Sequence, residues 1–102
     1  MPAYPPPLRQ VLARIQQLAP VYVEDYANDG EWLYLESEDL WDHDLFNRLH
    51  DAWPRLVAPF TQRFALIHCE GGEDWGVWLH YLGSQEACAT YLPGCHRIPS
   101  WV

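Results

Sequence analysis

The segment from 63 to 82 constrains the fold most, because its two strand-like stretches, RFALIHCE and WGVWLHYL, carry apolar side chains on both faces. They flank the sequence GGED, which is typical of a β-hairpin with a two- or four-residue loop. With either loop, one face holds Phe64, Leu66, His68, Trp75, Val77, Leu79 and Tyr81, and the other holds Ala65, Ile67, Cys69, Trp78, His80 and Leu82. We therefore predict a central position in a sheet covered on both faces, or one apolar face reserved for a partner.

A helix is predicted ahead of this hairpin, close to the start of the chain. Apolar residues recur there at three- and four-residue steps, which places them on one stripe of a helix. The stripe consists of Leu8, Val11, Leu12, Ile15 and Leu18. A proline-rich lead over residues 1–7 enters the first helical turn, and Pro20 ends the helix.

Another predicted hairpin spans residues 21–37, as VYVEDYA followed by EWLYLES. A three-residue loop, Asn28-Asp29-Gly30, would pair Tyr26 with Trp32 and Val23 with Leu35. A two-residue Asp-Gly loop would mix apolar and polar side chains on each face, so we favour the longer loop. It separates an aliphatic face of Val21, Val23, Leu33 and Leu35 from a polar-aromatic face of Tyr22, Glu24, Tyr26, Trp32, Tyr34 and Glu36.

A second helix is predicted from Leu40 to about Val57, with Ser37 as N-cap and acidic residues in the first turn. Pro54 should kink this helix or split it in two. The expected buried residues are Trp41, Leu45, Phe46, Leu49, Trp53 and Leu56, and the expected polar side is Asp39, His43, Asn47, His50 and Asp51.

These elements predict an α+β two-layer fold, in which two main helices pack on one face of a four-stranded antiparallel sheet. Ser84 to Leu92 is expected to form a short third helix, and residues 93–102 an edge strand or an irregular tail. A length of 102 residues fits one domain over 1–102.

The charge balance excludes several functional classes. The chain has fourteen acidic residues, six Arg and no Lys, which gives a net charge of −8. This charge argues against direct binding to nucleic acid or anionic membranes. The absence of Lys removes a Schiff-base nucleophile, and there is no GxSxG, SxxK, GxGxxG, P-loop or HExxH motif. We therefore assign no catalytic residue and no cofactor, and we expect a non-enzymatic protein.

The cysteines and the chain start bear on the cellular compartment. The start, MPAYPPPLRQ, has no secretion-signal pattern, and no apolar run approaches a membrane span of about 18 residues. Cys69, Cys88 and Cys95 are an odd number at wide spacing, so we expect reduced thiols and a cytoplasmic protein. Metal binding is not expected, because His68 and Cys69 point to opposite faces of a strand and the other cysteines lack a close pairing.

Acidic and aromatic residues coincide in the middle of the sequence. Residues 24–51 carry ten acidic residues against Arg48, a local charge of −9. Aromatic side chains with a surrounding acidic rim are typical of an interface for a basic partner, although a merely solvated face has the same composition. The predicted partner-binding residues are Tyr22, Glu24, Tyr26, Trp32, Tyr34, Glu36, Asp39 and Asp42.

This surface predicts a small acidic protein-interaction module. Its size and charge resemble those of phage or mobile-element inhibitors and immunity-type proteins that occupy the nucleic-acid groove of another protein. One alternative is a ligand-binding or enzymatic domain, with a pocket between the 63–82 hairpin, the tail and the Trp53 end of the second helix. Another is a homodimer formed through Ile67, Trp78 and Leu82.

Overall fold

A computed structural model describes residues 4–27, 30–71, 75–83 and 95–100. Its elements are α1 (Pro6–Leu18), β1 (Val21–Ala27), β2 (Trp32–Ser37), α2 (Asp42–Val57), β3 (Arg63–Cys69), β4 (Gly76–Gly83) and β5 (Cys95–Pro99). The α+β class is confirmed, whereas the predicted helix from Ser84 to Leu92 lies outside the described residues. No helix in the described ranges is long and apolar enough to cross a membrane.

Over the described residues, the sheet has five strands in the order β1-β2-β4-β3-β5, and every neighbouring pair is antiparallel. The sheet has one strand more than the four of the two predicted hairpins, because the tail takes the edge-strand alternative: it forms β5, which pairs with the side of β3 that the hairpin leaves free. Both β3 and β4 are interior strands, as their two apolar faces indicated.

Both helices pack on one face of the sheet, which we call the inner face. Pro6 and Pro7 occupy the first turn of α1. Backbone N–H groups in this turn have no acceptor within the helix, so the missing N–H of proline costs no hydrogen bond. Apolar stripes of both helices meet alternate residues of the strands. The core contains Leu8, Val11, Leu12, Ile15, Val21, Leu33, Leu35, Leu45, Leu49, Trp53, Leu56, Phe64, Leu66, Val77 and Leu79.

The β3–β4 hairpin has the predicted register. Phe64 pairs with Tyr81, Leu66 with Leu79 and His68 with Val77, while Ala65, Ile67 and Cys69 lie on the opposite face. We call that opposite face the outer face of the sheet. Trp75, which was expected on the face of Phe64 and Leu66, precedes β4 and is 49% exposed, so it is not part of the core.

The β1–β2 hairpin differs from the prediction near its turn. Val23 pairs with Leu35 as expected, but a β-bulge at Glu24 shifts the pairing by one residue toward the loop. Tyr26 consequently pairs with Leu33 instead of Trp32, and directly opposed residues share a face. The bulge therefore removes Tyr26 from the polar-aromatic face.

The start of α2 also differs from the prediction. The helix begins at Asp42 with Trp41 as N-cap, and the Ser37 hydroxyl instead accepts a hydrogen bond from the backbone N–H of Asp39 at 3.2 Å. Trp41 therefore stands outside the core and is 74% exposed, not buried. The helix runs unbroken through Pro54, so the predicted split does not occur.

A disulfide joins Cys69 of β3 to Cys95 of β5, which corrects the expectation of reduced thiols. The two residues are direct partners in the ladder, with Cα atoms 4.1 Å apart, so the sheet register itself brings the sulfurs together. Cys88 lies outside the described residues.

Candidate functional site

Four aromatic rings cover the middle of the outer face. Two of them, Trp32 and Tyr34, belong to β2, and they lie directly opposite His80 and Trp78 of β4. Tyr34 stacks on Trp78 with ring centroids 5.0 Å apart, and Trp32 stacks on His80 at 3.7 Å. The strand register thus fixes an ordered aromatic surface.

Negative charge adjoins these rings on the β1 side. The Tyr22 hydroxyl donates a hydrogen bond to Oε2 of Glu36 at 3.1 Å. That hydrogen bond, with the nearby carboxylates of Glu24 and Glu38, raises the pKa of the Tyr22 hydroxyl above its ordinary value. Burial raises the pKa of Tyr34, and the charge of Glu36 contributes to the shift. Both phenols therefore stay neutral beside the carboxylates.

The structure brings together only part of the predicted binding set. Tyr22, Trp32, Tyr34 and Glu36 share the outer face, and Glu24 lies in the bulge next to them. Tyr26 is separated from these residues by the shift in register, although it is 48% exposed. Asp39 is exposed in the connection between β2 and α2.

Asp42, the last predicted binding residue, has an internal partner. Its Oδ2 atom accepts a hydrogen bond from Nε2 of His68 at 2.9 Å, and His68 is buried beneath the ring of Phe46. This contact ties the first turn of α2 to β3. Asp42 therefore has a structural role in holding α2 against β3.

A groove opens where β2 and β4 separate, and we call it the end groove. Their pairing stops at Leu35 and Val77, next to Gly76, whose φ is +125°. The groove has a volume of about 200 Å³. Its lining includes Tyr34, Glu36, Leu40, Trp41, Asp42 and Trp75.

The exposure of the two tryptophans of the end groove does not follow from the sequence patterns. Helical spacing predicts a buried Trp41, and strand alternation places Trp75 on the same face as Phe64 and Leu66. A signal was present, since both tryptophans stand at the boundary of an element and Trp41 directly precedes Asp42. Large exposed aromatics beside charges are a common sign of a binding surface.

A second and larger groove, which we call the histidine groove, lies between α2 and the strands β3 and β5. Its volume is about 470 Å³. His68 and His96 are direct partners across β3 and β5, and His96 lies 3.8 Å from the carboxylate of Glu70. Its polar lining is His43, Asn47, His50, His68, Glu70, His96 and Arg97. Within the described ranges, no group of three His, Cys, Asp or Glu residues is arranged to hold a metal ion.

His80 is the buried polar residue of the outer face. Its Nδ1 atom has no hydrogen-bond partner among the described residues. Burial lowers the pKa of His80 to about 4, and the positive charge of Arg97 adds to this effect. The imidazole is therefore neutral at pH 7 and acts as an aromatic ring under Trp32.

Comparisons with protein-family models, with curated protein sequences and with solved structures found no match to this chain.

Proposed function

We propose that this chain is a small acidic protein-interaction module that binds a basic site on a partner protein. The observation that carries the proposal is the combination of aromatic rings and carboxylates on one surface. Trp32, Tyr34 and Trp78 supply contact area, and Glu24 and Glu36 supply negative charge beside them. A partner with clustered Arg or Lys would gain both apolar contact and charge complementarity there.

The charge distribution supports the same proposal. The net charge of −8 arises almost entirely within residues 24–51, where the local charge is −9. A concentrated negative field accelerates encounter with a basic surface and repels nucleic acid. An inhibitor or immunity-type protein that occupies the nucleic-acid groove of its partner has these needs, and a phage or mobile-element origin fits the small size.

The test compares two triple variants with equal charge changes. The first carries Glu24→Arg, Glu36→Arg and Asp39→Arg, and it spares Asp42 because that carboxylate holds His68. The second carries Asp44→Arg, Asp51→Arg and Glu70→Arg, all at exposed side chains elsewhere.

A partner is first isolated by affinity purification at low salt and then titrated as a purified protein. We expect the first triple to abolish binding and the second to weaken it only slightly. Equal losses in both variants, binding that survives the first triple, or the absence of a basic partner would contradict the proposal.

The histidine groove favours a second candidate function, the binding of a small ligand. Its volume of about 470 Å³ lies within the usual range of small-molecule sites, and its lining mixes Phe46 and Ile98 with imidazoles. It lies beside His43 and His50, not at the Trp53 end of α2 where the sequence placed a pocket. A ligand screen that follows NMR shifts at His68 and His96 tests this ligand-binding role. A screen that finds no binder would count against the role.

Two further proposals accompany the interaction role. We also propose a cytoplasmic location, which cell fractionation tests; the Cys69–Cys95 disulfide would be unusual there.

A homodimer through Ile67, Trp78 and Leu82 would rely on the last two side chains, because Ile67 is only 1% exposed within the chain. Light scattering at two concentrations tests the dimer.

A further inference from the structure

The end groove departs from the usual surface of a small protein because two tryptophans beside it are exposed. Trp41 is 74% exposed and Trp75 is 49% exposed, although tryptophan is normally well buried. Both line the same space together with Tyr34. Three aromatic side chains around one small groove provide several ring faces for a ligand.

The side of the end groove that Tyr34 forms is held rigidly. Tyr34 stacks on Trp78, and its ring also lies against the backbone of Gly76, where a Cβ atom would stand 2.6 Å from Tyr34 Cε1. Gly76 has φ +125°, a conformation that side chains with a Cβ rarely adopt. The groove wall is therefore preorganised, which lowers the entropic cost of binding.

The charge in the groove specifies what kind of ligand fits. Glu36 and Asp42 line it, and the described part of the lining contains no basic side chain. Glu36 accepts a hydrogen bond from the neutral hydroxyl of Tyr22, which leaves its negative charge uncompensated by that partner. An anion or a nucleotide would be repelled, while a cation would meet carboxylates at its head and rings along its stem.

From this geometry we propose that the end groove binds an arginine side chain of the basic partner, with the guanidinium between Trp41 and Trp75 and directed at Glu36. This inference deepens the proposed function and rests on it. Arginine suits the groove better than lysine because its planar guanidinium stacks on aromatic faces and can form two parallel hydrogen bonds with a carboxylate. An isolated apolar side chain would leave the carboxylate charge unused.

The experiment titrates the protein with three peptides that alternate glycine with arginine, lysine or citrulline. Citrulline keeps the size and planarity of arginine but removes its charge. Binding is followed through the indole N–H signals in NMR, with buried Trp53 as the internal reference. We expect the signals of Trp41 and Trp75 to move and saturate with the arginine peptide, at least fivefold more tightly than with the lysine peptide. The citrulline peptide should leave them unchanged.

Matched variants locate the binding. Trp41→Ala and Glu36→Gln should each weaken arginine-peptide binding by at least fivefold, since each removes one of the two recognition elements. Tyr26→Ala and Asp51→Asn are the controls, because they remove an exposed aromatic ring and an exposed carboxylate outside the groove. Each should change the affinity for the arginine peptide by less than twofold. Unfolding curves of all four variants verify that each is folded.

Three results would overturn the arginine groove: equal binding of the citrulline peptide, unmoved Trp41 and Trp75 signals, or equal effects of groove and control variants. Its failure can be told apart from failure of the interaction role. If Trp41→Ala keeps full affinity for the purified partner while the Glu24, Glu36 and Asp39 triple loses it, the groove is wrong and the interaction role stands.

Discussion

At the scale of single residues, Gly76 leaves room for the Tyr34 ring that lines the end groove. Its φ is +125°, and the Tyr34 ring occupies the space that a side chain would need. Glycine is therefore required twice here, for its conformation and for the close approach of the ring.

Replacing Gly76 tests this requirement. Gly76→Ala should lower the free energy of unfolding by about 1–3 kcal/mol, through backbone strain and displacement of Tyr34. Gly71→Ala is the matched control, because nothing lies within 4 Å of the added Cβ atom. Urea unfolding measures both. A neutral Gly76→Ala would show that Tyr34 does not pack on this glycine.

His80 makes stability depend on pH. Its pKa is lowered to about 4 in the folded state against an ordinary value of 6.5, so between these values the unfolded chain binds a proton that the native chain does not. The contribution of neutral His80 to the free energy of unfolding is therefore complete above pH 6.5 and is lost as the pH falls toward 4. The loss should reach no more than about 1.4 kcal/mol per pH unit.

Comparison with His80→Phe isolates this effect. Phenylalanine retains a ring under Trp32 but cannot titrate, so its free energy of unfolding should fall less between pH 7 and pH 4.5 than that of the wild type. His50→Gln, at an exposed position, should behave like the wild type. Parallel pH profiles for wild type and His80→Phe would show that His80 is not a buried neutral imidazole.

At the scale of elements, the edge strand β5 is attached to β3 by both backbone pairing and the disulfide. Its ladder runs from Cys69–Cys95 to Ala65–Pro99, and it forms one wall of the histidine groove. The disulfide closes a loop with a sequence separation of 26 residues. A crosslink of this length typically stabilises a fold by about 3–4 kcal/mol, chiefly by restricting the unfolded chain.

Reduction of the disulfide should therefore lower the free energy of unfolding by about 3–4 kcal/mol. Cys69→Ser with Cys95→Ser should do the same and become insensitive to reductant, whereas Cys88→Ser should retain the loss upon reduction. Unfolding curves with and without reductant measure this. A wild type indifferent to reductant would mean that the disulfide does not form.

The accuracy of the sequence predictions varied with the range of the interactions involved. The α1 stripe from Leu8 to Ile15 and the β3–β4 faces were predictable because local periodicity determines them, whereas Leu18, at the end of the helix, is 36% exposed. The bulge at Glu24 and the exposure of Trp41 were not, because a one-residue shift or a helix that starts later leaves the same local pattern. The Cys69–Cys95 pair depends on β5 lying next to β3, a long-range pairing that spacing does not encode.

At the scale of the whole molecule, the charge of −8 acts as a self-repulsion concentrated in residues 24–51. Salt screens such repulsion, with a Debye length of about 10 Å at 0.1 M. The melting temperature should therefore rise between about 20 mM and about 500 mM NaCl. The Glu24, Glu36 and Asp39 triple should show a smaller rise; an unchanged rise would place the repulsion elsewhere.

The central claim is that the carboxylates beside the outer-face aromatics bind a basic partner. The most direct measurement is calorimetric titration of the purified partner against the wild type and the two charge-matched triples. We expect binding to disappear in the triple at Glu24, Glu36 and Asp39 and to persist in the triple at Asp44, Asp51 and Glu70. Equal affinities of the two triples would contradict it.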